Sequence, residues 1–93
     1  MGFLMISVSV SVTATATILH VSTNASSRDP QPIRIYNNGA QTVFIGGATV
    51  TASTGTPVTS ASGVDFQFTS QETLAAIVTA GTADVRVLRG RDA

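Results

Sequence analysis

Among the residues of this chain able to do chemistry, His20 is the single histidine, and there is no cysteine. A nucleophilic triad would have to join His20 to a serine and to Asp29, Asp65, Asp84 or Asp92, and no spacing selects one. Asp65, Glu72 and Asp84 fall in different strands or turns, so neither a carboxylate pair nor a calcium cage has local support. Gly46-Gly47 lacks the Lys-Ser/Thr pair and the helix N-terminus of a phosphate loop. Tyr36 and Phe44 remain, as an aromatic patch on which a sugar or base would stack. With four Phe and one Tyr in the whole chain, a place in the core is the stronger reading for both. The expectation is a chain with no catalytic, metal or cofactor site, and not an enzyme.

The elements that would position these residues are strands. From Ile33 to Val50, apolar Ile33, Ile35, Val43 and Ile45 alternate with Arg34, Tyr36, Thr42 and Phe44, which puts one set on each face of a sheet. Asn37-Asn38-Gly39 between them is turn chemistry, so the stretch reads as a hairpin to which other strands are added. Ile6 to Val21 alternates apolar residues with Ser and Thr for longer than one strand normally runs, and the phase falters near Ile18-Leu19. It reads either as two strands or as an N-terminal arm followed by a domain strand over residues 14–22. The arm would pair with a neighbouring subunit or add a strand within its own.

Ser22 to Pro32 reads as a loop, and its Asn24-Ala25-Ser26 sequon is a chance-level match. Ala48 to Thr51 begins a short strand, Val58-Thr59 gives another, and Val64, Phe66 and Phe68 mark a half-buried one. Thr73 to Thr79, a Gly81 turn and Val85 to Leu88 read as a closing hairpin. The result is an all-β fold, a small antiparallel β-sandwich or barrel of about seven to eight strands. An N-terminal extended arm (residues 1–12) precedes a single domain (13–93).

Composition narrows the partners. The 93 residues are 43% hydrophobic but only 11% charged, with zero formal net charge. Ordinary soluble domains carry roughly 25% charge, so this one reads as a piece of an obligate assembly. Zero net charge argues against a nucleic-acid partner, and no apolar run approaches the roughly 20 residues of a membrane helix. Ser and Thr supply 24 residues, favouring strands and turns, and all five basic residues are arginine, the cation that interfaces tolerate best.

Four segments together resemble a small β-domain of tailed-bacteriophage virion proteins. They are Ile-Tyr-Asn-Asn-Gly (35–39), Thr-Val-Phe-Ile-Gly-Gly-Ala-Thr-Val-Thr (42–51), Thr-Gly-Thr-Pro-Val (54–58) and the run from Leu74 through Gly81 to Leu88. The resemblance covers roughly residues 13–89. Two features depart from it: the Met1–Val12 arm is additional, and Ser60-Ala61-Ser62-Gly63 replaces the usual glycine-bearing turn. It implies a structural protein of the virion, located on the capsid surface: a decoration (cement) protein, homotrimeric, binding the major capsid protein and stabilising the head lattice. The contacts expected on that basis are Phe3, Leu4, Met5 and Ile6 in the arm, with Arg28, Arg34, Arg89 and Arg91 as polar anchors. The alternative is a tail or fibre component, or a module binding carbohydrate on the host surface.

Overall fold

Hydroxyl side chains break the first long alternation into two strands. In the computed structural model, which describes residues 5–21, 31–68 and 73–90, Met5–Thr13 forms β1 and Thr17–Val21 forms β2. Between them the Thr13 and Thr17 hydroxyls both donate to the Thr15 carbonyl, at 3.3 and 2.9 Å. Those bonds satisfy a carbonyl that leaves the ladder as the chain turns. There follow β3 (Gln31–Asn37), β4 (Val43–Gly46), β5 (Thr56–Val58), β6 (Ser62–Phe68), β7 (Thr73–Ile77) and β8 (Thr82–Gly90). No helix occurs among the described residues.

The eight strands make two antiparallel sheets, sheet A in the order β1-β8-β3-β6 and sheet B in the order β2-β7-β4-β5. Strand one pairs with eight, two with seven, three with six and four with five. That is a long hairpin rolled on itself, the jelly-roll form of the β-sandwich. The fold class expected from the sequence is the one observed. The core lies between the sheets, where Val12, Ile35, Val43, Val78, Val85 and Val87 are fully or almost fully buried.

Two turns expected to close hairpins do something else. β3 and β4 lie in different sheets, and so do β7 and β8, so residues 38–42 and 78–81 are corners crossing from one layer to the other. The period of two fixes which side of a strand faces inward, but it is the same whether the next strand lies beside it or opposite it. Only β4 and β5 are consecutive strands within one sheet. The residues 48–51, expected to begin a strand, instead belong to the loop between these two. In that loop Val50 is buried outside the main core, against Gly46 and Gly55. A Cβ at Gly55 would sit 2.7 Å from Phe44 Cβ, so glycine is needed there for close approach.

Of residues 1–12, set apart in the sequence as an arm or extra strand, 5–12 lie in β1, which pairs over its whole length with β8 of the same chain, and 1–4 lie outside the described residues. The turn that departs from the phage-type pattern holds Ala61 at φ 58°, a left-handed conformation that glycine would occupy without strain. Gly81 takes φ 71° at the β7–β8 corner, where the glycine matches the backbone.

Candidate functional site

The inward rows carry the core, so any partner must be met by the outer faces and edges. On sheet A the outward rows read Ser7–Leu88–Arg34–Asp65 and Ser9–Arg86–Tyr36–Gly63 across β1, β8, β3 and β6, followed by Ser11–Asp84. Arg34 Nη1 donates to Asp65 Oδ2 at 2.7 Å, and Arg86 Nη2 lies 2.9 Å from Asp84 Oδ2. Both pairs are more than a third exposed, the first at 46% and 68% of its side chains, so water screens them and neither is a main support of the fold.

Asp84 anchors a polar knot at the β3–β4 corner. It accepts from Arg86 Nε at 3.0 Å, from Asn38 Nδ2 at 3.0 Å and from the Ser9 hydroxyl at 2.8 Å. These bonds, led by Arg86, hold its carboxyl well below the usual carboxylate range. A depressed pKa in the folded state means stability that is present above the ordinary carboxylate range and lost as pH falls toward the folded value. Acidification from about pH 5 to about pH 2 is therefore expected to lower the melting temperature, and Asp84→Asn to flatten that decline in scanning calorimetry. A variant with the wild-type slope would show that the knot is not coupled to folding.

Beneath this corner sits Asn37, the one buried polar residue among those described. It stands on an inward row opposite Val85 and Ser62. Its Nδ2 donates to the Val58 carbonyl at 2.9 Å and to the Gln41 carbonyl, and its Oδ1 accepts from Gly39 N–H at 2.9 Å. The Asn-Asn-Gly turn is thus structural: it ties β3, the corner and β5 together.

Sheet B presents a different outer face. Its outward rows are Pro57–Phe44–Ile77, Gly46–Ala75–Ile18 and Thr73–Val21. Ile18 is 56% and Val21 50% exposed, and Phe44 and Ile77 are half-buried. Every charged side chain among the described residues (Arg34, Asp65, Asp84, Arg86, Arg89) belongs to sheet A, and sheet B carries none. The charge of the described residues thus lies on sheet A, whose outer face also carries the exposed Leu88, while the outer face of sheet B is uncharged, with Ala75 covered in its middle row.

The residues singled out from the sequence are dispersed by this arrangement. Arg34 lies on the outer face of sheet A and is engaged by Asp65. Arg89 does not share that face: it stands half-buried on an inward row between Ile6 and Ile33, at one end of the sandwich. Ile6 is half-buried in β1 and Met5 begins that strand, while Phe3, Leu4, Arg28 and Arg91 lie outside the described residues. Tyr36 and Phe44, read as core, are both half-buried on outer faces because each alternates with core residues. They project from opposite sheets, which rules out a shared aromatic platform. Asp65 and Asp84 face outward on sheet A, whereas His20 belongs to β2 of sheet B, and no group of metal ligands assembles among the described residues.

The apolar face of sheet B went unread in the sequence, although a signal for it was present. Leu74 to Val78 shows no alternation, as a central strand does when both of its faces are apolar.

No family model matches this chain, and no curated protein matches it. Among solved structures it is similar to a chain of the Bacillus endospore appendages, described as a family of disulfide-linked pili. That likeness has 20% identity and a TM-score of 0.58, and it spans 92% of this chain and 83% of the other. It shows the sandwich fold alone.

Proposed function

We propose that this chain is a virion structural protein, a decoration protein on the head lattice of a tailed phage, docked through the outer face of sheet B onto the major capsid protein. The observation that carries this reading is the division of the two outer faces. A freely dissolved module of this size gains nothing from leaving Ile18, Val21, Phe44 and Ile77 on an uncharged face. A module that spends its life covered on one side does gain. The phage-type segments reach both layers: 42–51, 54–58 and 74–88 take in β4, β5 and most of β7 in sheet B, and 35–39 and 74–88 take in part of β3 and most of β8 in sheet A.

The mechanism is adhesion. Each copy contributes a small apolar contact, and many copies bound only to assembled lattice stabilise it by mass action. The pilus likeness fits a sandwich used as a repeating building block, though this sequence has no cysteine with which to form a disulfide linkage. The test is the composition of purified particles and the rebinding of the chain to stripped heads. The reading expects the chain in amounts comparable to the major capsid protein, and rebinding to assembled heads but not to unassembled subunits. Scarce copies at the tail would instead support a tail or fibre role, and absence from particles would end the virion reading.

A further inference from the structure

The two sheets leave four strands at their edges, and three of them are guarded. β5 has three residues including Pro57, β2 is interrupted by a bulge between Ile18 and His20, and β6 carries Gly63 and the charged Asp65. These are the usual devices against edge-to-edge pairing. β1 has none of them. It runs nine residues in unbroken register with β8 and contains no charge, proline, glycine or bulge. Among the described residues nothing pairs with its other side.

The strand is also its own complement. About Ser9, the seven residues Ile-Ser-Val-Ser-Val-Ser-Val (6–12) read the same in both directions by chemical type, and only the end positions, Met5 and Thr13, differ. Antiparallel pairing centred there sets Ser7 against the partner's Ser11, Val8 against the partner's Val10 and Ile6 against the partner's Val12. Hydroxyls meet on the outer face and aliphatic groups on the inner one. Val8 is 40% exposed although it lies on an inward row beside fully buried Val87 and Ile35, so the core is open at this edge. An isologous contact needs a surface that matches itself under a two-fold axis, and this edge does.

We propose that two copies of this chain pair antiparallel along β1 with Ser9 on the two-fold axis, joining their A sheets into one eight-stranded sheet. The contact involves a single strand from each copy, so it closes the open core edge without covering the apolar face of sheet B. It depends on the chain alone and stands or falls without any capsid.

The absence of cysteine makes the register directly readable. Paired residues in an antiparallel ladder have Cα atoms about 4.5–5.5 Å apart, inside the range a disulfide spans. Ser9→Cys is expected to cross-link to a covalent dimer under mild oxidation. Ser7→Cys, which would face the partner's Ser11, is expected not to. Sedimentation of the wild-type chain between about 1 and about 500 µM should show a monomer–dimer equilibrium. Val8→Lys should weaken that equilibrium at least tenfold while leaving the melting temperature of the dilute monomer unchanged. A chain monomeric throughout, a trimer, an open-ended polymer, or equal cross-linking of Ser7→Cys and Ser9→Cys would each overturn the proposal.

Discussion

Asn37→Ala is expected to lower the melting temperature by about 12–24 °C, the largest loss of any single polar substitution among the described residues, of which it is the one buried polar side chain. The substitution strips the Nδ2 donor from the carbonyls of Val58 and Gln41 and the acceptor from Gly39 N–H. A buried group left without its partner costs about 1–3 kcal/mol. Gly39 and Gln41 are only half-buried, so water reaches part of the vacated site and the net loss is about 3 kcal/mol. In a domain of this size each kcal/mol moves the midpoint by about 4–8 °C. Asn37→Asp sharpens the test. It keeps the volume but turns an oxygen toward the Val58 and Gln41 carbonyls, which disfavours the carboxylate and raises its pKa. The folded state then binds the proton more tightly than the unfolded state, so stability recovers as pH falls through the raised value. Thermal melts followed by circular dichroism at neutral and acidic pH measure both effects. An alanine variant within about 4 °C of wild type would show that the corner is held by the strands alone.

The same residue marks how far the sequence could be read. Asn37-Asn38-Gly39 was legible as a place where the chain reverses, because asparagine and glycine tolerate the backbone angles of a turn. That Asn37 would point inward, on the row of Val85, was not legible: an amide there is stable only when its bonds are met by the Val58 and Gln41 carbonyls, which come from elsewhere in the chain. The inward faces themselves were legible, since Ile33 and Ile35, Val43 and Ile45, and Val85 alternate with more open neighbours as a two-residue period requires. The layer in which each strand lies was not, and the corners at 38–42 and 78–81 therefore passed for hairpins. Phe44 shows why the candidate docking face was missed. An aromatic residue between two core residues is apolar whether it points outward to a partner or into a core, and only the register against Pro57 and Ile77 places it outside.

That register sets up the second large effect. Substituting Ile18→Lys together with Val21→Lys is expected to abolish binding to assembled heads while leaving the fold intact. Both side chains are at least half exposed, so charging them costs the free protein little, within about 0.5 kcal/mol each. Once sheet B is docked, the same charges would have to leave water against an apolar seam, with no opposite charge on sheet B beside them. Losses of about 2 kcal/mol or more per residue are typical when a desolvated interface is disrupted, and each 1.4 kcal/mol is about tenfold in affinity. Lattice binding by many copies compounds the change, because weakened contacts no longer hold neighbours in place. The control lies on the other side of the sandwich. Arg34→Ser removes an exposed ion pair on sheet A, where about 1 kcal/mol or less is at stake, and should leave head binding as it was. Co-sedimentation with stripped heads reads both variants, and circular dichroism confirms that each is folded. If the charged sheet B variant still saturates the heads while Arg34→Ser does not, the docking face is sheet A, and the apolar side of this sandwich serves some other contact.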